Sequence, residues 1–432
     1  MAASRLALAT LGRTVPIRGL SHVLCDNAAI PNRTLFSPSA ARLVSTAATP
    51  SPGSIHPSLA QIIEDSISAT GPMPVARYMQ MCLTHPTLGY YSQGDVFGKQ
   101  GDFITSPEIS QIFGELVAIW LLTRWMAAGS PAECRIIELG PGRGTLMDDV
   151  LRSFQQVQIK SIHLVENSMN MRKLQKDKLS VRAELLGAEL CWEDDIDGVP
   201  KSDVYTMAIA HEFFDALPVH ILQRMGLEKF ALTAIRHTGN AKFTLALDRD
   251  SSMLSSLLPA ASSRYSTLPI GSRMEISPDS SRIVRGLGET MAAGGAGLVI
   301  DYGGNRSFSN SFRHKIVDIF DQPGSSDLTA NVDFAYLKES LKDVAVGAGP
   351  ISQSTFLTSM GLEPRLSKLL AQAESREKQQ RLQKGADRLI DKNGMGDQYQ
   401  VMAILNGAGA QGDVYPFGTV VAPSNAAVVT PK

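Results

Sequence analysis

The stretch with the clearest chemistry is Cys134 to Val150, CRIIELGPGRGTLMDDV. A short apolar run (Ile136, Ile137, Leu139) carries Glu138 and breaks into Gly140-Pro141-Gly142-Arg143-Gly144 before a helical pattern. A strand, a glycine turn and a helix start bring backbone N–H groups close to a nucleotide-like ligand. A dinucleotide fingerprint would need its third glycine at Thr145, which excludes that pattern. An acid just before G-x-G-x-G suits a ligand with a cationic aminoacyl end and no pyrophosphate. S-adenosylmethionine (SAM) fits that description, with Glu138, Gly140, Gly142 and Gly144 as candidate contacts to its methionine end.

Other stretches supply neighbours for such a ligand. Glu166 comes 26 positions after Gly140, where a second strand ends. A carboxylate there can accept both ribose hydroxyls, although alone it reads as a solvated acid at a helix start. Asp195, in Asp194-Asp195-Ile196, is a candidate for the adenine amino group; an acidic surface turn explains it as well. Gly101 to Ser106 leads into a helix N-terminus, making Ser106 a candidate for the SAM carboxylate, with an ordinary capped loop as the alternative. AHEFFDALP, residues 210–218, sets Glu212 and Asp215 beside Phe213 and Phe214. Paired carboxylates among rings suit a planar cation, because a guanidinium binds carboxylates bidentately and stacks on aromatic faces. The plain alternative makes Phe213, Phe214 and Leu217 core and Asp215 a helix cap. His211 and His85 are candidate bases or orienting donors, though a lone histidine is more often structural. The Asn/Asp-Pro-Pro-aromatic group of enzymes that methylate nucleobase amines is absent after the fourth strand, which argues against a nucleobase acceptor.

The elements that must position these residues alternate between strand and helix, the signature of an α/β fold with a parallel sheet. Strands are expected at 135–139, 161–165, 189–192, 204–210 and 297–300, with a last one at 398–405. Ahead of them, helices are expected from Ser58 to Thr70, from Pro74 and from Ser106; the last has Ile112, Leu116, Ile119 and Trp120 as its buried face. A hairpin turned at Thr238-Gly239-Asn240, a loose loop over 251–269 and one long charged helix over 363–392 complete the pattern.

Length and composition narrow the class. The chain has 432 residues, 44% hydrophobic and 19% charged, which is enough for a full core. A net charge of −1 lacks the basic surface of a nucleic-acid binder, and no apolar run reaches the length of a membrane span. The four cysteines form no CxxC pair, so neither a disulfide framework nor a metal site is indicated. Before Glu64 the chain holds five arginines, no lysine and one acid, Asp26, amid Ser, Thr, Ala and Pro. That bias reads as a mitochondrial transit peptide cleaved near residue 45, the alternative being an ordinary leader.

Four blocks, LGYYSQGDVFGKQGDFITSPEISQIFGE, ELGPGRGTLMDDVLR, AHEFFDALPVH and DLTANVDF, occur in the order found in the MidA-like family of class I SAM-dependent methyltransferases. The chain resembles that family over roughly residues 57–405. The resemblance implies a Rossmann-like, seven-stranded methyltransferase sheet over 131–405, a helical N-terminal and lid region over 57–130, and cap insertions at about 221–290 and 303–355. A tail over 406–432 is expected to be disordered. For mitochondrial members the resemblance implies symmetric dimethylation of an arginine on a complex I core subunit in the matrix, in support of complex I assembly. Glu212, Asp215 and His211 are then the candidate catalytic residues. Some relatives carry Asn at position 211 and several carry His at 331, so Asn331 is given no proton-transfer role. A SAM-binding assembly chaperone and a small-molecule methyltransferase are the rival readings.

Overall fold

The computed structural model describes residues 57–92, 105–226, 230–237, 243–248, 252–313 and 318–420. The expected transit segment, most of the glycine-rich stretch before Ser106 and the turn of the expected hairpin lie outside the described residues.

The central sheet contains β1 (Cys134–Leu139), β2 (Ile159–Val165), β3 (Glu189–Glu193), β4 (Tyr205–His211), β5 (Gly295–Gly304), β6 (Val346–Ser352) and β7 (Tyr399–Asn406). Their order is β6-β7-β5-β4-β1-β2-β3, with Val332–Asp333 adding a short parallel pairing to the end of β5. Strands β1 to β5 are parallel, whereas β7 runs antiparallel to both β5 and β6. Every residue of β1 and β4 is buried, because helices cover both faces of a parallel sheet. The chain leaves β1 towards β3 and returns to β4 on the other side of β1. That reversal opens a crevice at the carboxyl ends of β1 and β4, where ligands bind in such sheets. Arg135 is fully buried in β1 and is satisfied by Thr206 Oγ1 (3.0 Å) and the carbonyls of Pro200 and Thr290.

A second, antiparallel sheet contains Met73–Pro74, Phe230–His237, His220–Arg224 and Arg273–Ile276, with Phe243–Asp248 paired to Phe230–His237. It includes both strands of the expected hairpin. Helices Leu59–Thr70 and Val75–Thr84 bury Ile63, Tyr78, Met79 and Cys82 against this sheet's Ile221 and Ile235. Helix Gln111–Ala127 instead joins the core of the central sheet. The expected 57–130 region is therefore divided between two cores.

Several local expectations are corrected. The helix expected from Ser106 is broken: one turn, Ser106–Ile109, stops at Ser110, which is extended (φ −159°) and caps the next helix by accepting from the Ile112 amide. Residues 253–266 are short helical turns capped by Ser252 and Ser262 rather than a loose loop. Val346–Ser352 belongs to the central sheet, so the insertion expected over 303–355 ends before it. The charged helix is two, Leu362–Ala371 and Arg376–Ile390. Residues 407–420 are ordered: Val414 is fully buried, and the Trp120 indole donates to the Tyr415 carbonyl at 3.0 Å. A long apolar helix beneath this segment, with Trp120 needing an acceptor, outweighs the segment's low-complexity composition.

Candidate active site

The turn after β1 is built from three glycines at positive φ, Gly140 (60°), Gly142 (51°) and Gly144 (77°), a conformation in which a side chain is strained. A Cβ at Gly140 would lie 2.9 Å from the Phe213 ring, whereas one at Gly142 would meet nothing within 4 Å. The turn thus packs on one side against the segment after β4 and presents bare backbone on the other. Gly144 then caps helix Thr145–Ser153. Glu138 lies beneath, 2% exposed; burial pushes its carboxyl up to about 8, and its Oε2 has no hydrogen-bond partner among the described residues. A buried, unsatisfied carboxylate beside an open glycine cradle fits the cationic aminoacyl end of SAM.

Glu166, at the end of β2, is also raised by burial. Its oxygens accept from the Ser168 amide (2.8 Å) and from Gln175 Nε2 (3.2 Å). Gln175 was not legible as a site residue. Fully buried on helix Met169–Leu186, it also donates to the Gly142 carbonyl (2.7 Å) and accepts from the Trp192 indole (2.9 Å). One amide side chain thereby fixes the glycine turn against the ribose candidate. A glutamine inside a polar helix reads as surface, so sequence carried no signal for it.

Two cofactor candidates look different in the structure. Asp195 is half-exposed and held by Arg282: Oδ1 accepts from the Ile196 amide (2.6 Å) and Arg282 Nη1 (3.1 Å), and Oδ2 from Arg282 Nη2 (2.8 Å). Only spare lone-pair capacity on Oδ2 is left for an adenine amine. Ser106 is fully buried, its hydroxyl 3.4 Å from Gln353 Oε1, and its backbone hydrogen-bonds the Glu212 carboxylate. Its helix is a single turn, so the carboxylate-binding helix terminus expected there is not formed.

The segment after β4 gathers the acids. Glu212 adopts φ 49°, a left-handed conformation held by its N–H donating to the Ile300 carbonyl at 3.0 Å. Such a conformation in a non-glycine residue costs on the order of 1–3 kcal/mol and persists only where the surroundings impose it. Asp301, fully buried at the end of the first part of β5, imposes the turn that follows. Its Oδ2 accepts from the amides of Phe213 (3.2 Å), Phe214 (2.9 Å) and Asp215 (3.3 Å), and its Oδ1 from that of Tyr302 (2.8 Å). Asp327, from DLTANVDF, accepts from the Tyr91 hydroxyl at 2.9 Å.

Charge and burial act together on this group. Burial, then Asp301 and Asp327, raise Glu212 to about 8. The same causes, joined by Glu212, hold Asp215 well above the usual carboxylate range, while burial raises Asp301 to about 7. No Lys or Arg forms an ion pair with Glu212, Asp215 or Asp301 among the described residues. His211 packs against Phe113 (5.1 Å between ring centroids) and stacks on Tyr399 (6.2 Å). Burial pushes its imidazole down to about 3, so it is neutral. Its Nε2 lies 3.5 Å from Glu212 Oε1, yet no hydrogen bond joins them, which makes the contact a wall rather than an ion pair.

The aromatic platform expected from Phe213 and Phe214 is not formed. Phe214 is buried in the core and Phe213 packs on Gly140, while tyrosine hydroxyls from Tyr91 and Tyr399 contact the acids instead. His85 caps its own turn, Nδ1 accepting from the amides of Thr87 (3.4 Å) and Leu88 (3.3 Å). Asn331 donates its backbone amide to Ser311 Oγ (2.9 Å), a loop anchor.

A family model described as "Putative S-adenosyl-L-methionine-dependent methyltransferase" matches residues 116–350. The chain is 37% identical over 397 residues to human "Protein arginine methyltransferase NDUFAF7, mitochondrial", covering 82% of this chain and 87% of that one. It is 39% identical over 395 residues to the Drosophila melanogaster homologue of the same name, covering 84% and 88%. A Burkholderia thailandensis protein crystallised with S-adenosyl-homocysteine shares the fold, with a TM-score of 0.67 at 23% identity over 84% of this chain and 95% of that one. The glycine cradle and its buried acid thus sit in a fold and a sequence background that agree, and the chain belongs to this family of S-adenosyl-L-methionine-dependent methyltransferases, with SAM as its cofactor.

Proposed function

We propose that this protein is a SAM-dependent protein arginine methyltransferase of the mitochondrion. The observation that carries the acceptor class is the pair Glu212 and Asp215, whose proton affinity is raised by burial and by the neighbouring Asp301 and Asp327, with no Lys or Arg ion pair to either among the described residues. A guanidinium supplies a permanent delocalised charge and hydrogen-bond donors that match carboxylates. The relatives' names support the arginine acceptor and the mitochondrial setting. The finer reading, symmetric dimethylation of an arginine on a complex I core subunit in the matrix, rests on the family resemblance.

On this reading Glu138 and the backbone of Gly140, Gly142 and Gly144 hold the methionine end of SAM, Glu166 its ribose, and Asp195 its adenine edge. Bound SAM supplies a methyl carbon on a sulfonium, open to in-line displacement by a nitrogen lone pair. Glu212 and Asp215 bind the guanidinium, draw its charge towards their side and leave the reacting nitrogen's lone pair facing the cofactor crevice. Glu212 then takes the proton that this nitrogen loses. The neutral His211 wall and the buried turn keep water from the carboxylates. Most of the rate gain is positioning and electrostatics.

The test is incubation of the purified protein with SAM and arginine peptides from matrix-facing complex I core subunits, read by mass spectrometry. Mono- and symmetrically dimethylated arginine are expected; intact SAM binding with no modified arginine overturns the acceptor. A pH dependence follows from the raised carboxyls. An acid whose folded pKa lies above its unfolded value favours folding most below the unfolded value, and that contribution is lost as pH rises through the folded one. A bound guanidinium favours the ionised forms. Peptide binding should therefore release protons, and affinity should rise between about pH 6 and 8 before levelling off. Calorimetry in buffers of different ionisation enthalpy measures this, and a pH-independent affinity would remove the acid cluster from acceptor binding.

A further inference from the structure

Glu212 has a problem that its own segment does not solve. It sits among like charges, in a buried and left-handed stretch of backbone, and yet must be ionised to serve a cation. We infer that Tyr399, backed by Tyr302, is the positioning residue that eases ionisation of the Glu212 carboxyl and fixes its direction; this rests on the acceptor role proposed above for Glu212.

The geometry is specific. The Tyr399 hydroxyl donates to Glu212 Oε1 at 2.6 Å, and the Ser106 backbone amide also bonds the carboxylate, which leaves its remaining lone pairs for an acceptor nitrogen. Tyr399 and Tyr302 also hydrogen-bond through their hydroxyls. A phenol carries one proton, and an ionised carboxylate carries none. In the structure Tyr399 is the donor to Tyr302 as well, so when Glu212 is charged Tyr399 gives its one proton to Glu212 and the Tyr302 hydroxyl turns from accepting to donating. The chain of donation runs Tyr302 to Tyr399 to Glu212 and ends on the carboxylate. Both phenols are raised by burial, so neither ionises in competition; Tyr302 is half-buried.

Rigidity comes from the sheet. Tyr302 and Tyr399 are directly opposite each other in the β5–β7 register, with ring centroids 4.0 Å apart. Tyr399 is 1% exposed and stacks on its other side against His211 at an interplanar angle of 6°. The antiparallel direction of β7 is what brings Tyr399 here. Its first residue lies beside the carboxyl ends of β4 and β5, the edge at which the parallel strands present their ligand-binding residues.

Hydrogen bonds to the charged form hold a carboxyl's pKa down, so removing one lets it rise. Tyr399→Phe should move the Glu212 titration up by about one pH unit, and Tyr302→Phe should move it by less, because Tyr399 still donates. The readout is infrared titration of the protonated carboxyl band, assigned to Glu212 by its disappearance in Glu212→Gln, on the full chain with and without SAM. It needs no turnover. In parallel, the acidic limb of kcat against pH should move with the band while the SAM Kd stays unchanged. A Glu212 band that titrates identically in wild type and Tyr399→Phe overturns the inference. A band that moves as expected in a protein that methylates no arginine upholds it and overturns the acceptor instead. Should Tyr399→Phe prove unstable, a Tyr302→Phe titration identical to wild type overturns the inference by itself.

Discussion

Glu212→Gln is expected to lower arginine methylation by about 10²–10³-fold while the SAM Kd stays within about twofold. The substitution keeps the side chain's length and can still accept from the Tyr399 hydroxyl at Oε1. It removes the charge that holds a guanidinium, and it points an amide donor at another donor. It also removes the acceptor for the displaced proton. Because Glu212 belongs to the segment after β4, Glu138 to β1 and the glycines to the turn after β1, the cofactor half of the crevice is left intact. Initial rates by mass spectrometry, with calorimetric titration of SAM, measure the two halves separately. Unchanged turnover would remove Glu212 from the reaction; equal loss of SAM binding and transfer would mean that the two halves are not separable.

The second large effect is expected at the cradle. Gly140→Val forces a β-branched residue to φ 60° and drives its Cβ to within 2.9 Å of the Phe213 ring. Left-handed strain of about 1–3 kcal/mol plus that clash should weaken SAM binding by about 10–100-fold, with a loss of stability of similar size. Gly142→Ala is the control. It shares the positive φ (51°) but meets no neighbour within 4 Å, so only the strain remains and its effect should be clearly smaller. SAM titration and denaturant unfolding of both variants check this. Equal losses in the two would show that contact with Phe213 does not constrain the turn.

How far the sequence reached depends on how local each feature is. The parallel strands were readable because a strand covered on both faces is a short apolar run ending in polar residues, as in Ile136 to Leu139 followed by glycines. Glu138, Gly140 and Glu212 were readable because each stands at such an ending. Helix continuity across Ser110 was misread, since the capping serine and the apolar face beyond it fit one helix as well as two. Ser106 was misjudged with it, its amide serving Glu212 rather than a ligand. Phe213 and Phe214 were assigned to the acceptor by proximity in sequence, yet alternate positions of a tight turn point in different directions. Tyr399 carried no signal, because it reaches Glu212 across 187 residues. Asp327 comes from a block whose resemblance was noted but whose carboxylate has no local pattern to reveal it. Gln175 belongs with them: only the folded chain shows that a helix amide braces a turn 33 residues away.

The place of β7 bears on when the protein becomes competent. This strand lies between β5 and β6, and among the described residues β6 has no other strand partner in the sheet. During synthesis the turn after β1, with its buried acid, is complete long before residue 399 emerges. A chain cut short ahead of β7 would carry the sequence of the cofactor cradle but no tyrosine donor for Glu212 and no closed sheet edge. Catalytic competence is thus written into the last strand of the central sheet to be made, so that a partial chain has the means to hold the methyl donor before it has the means to use it.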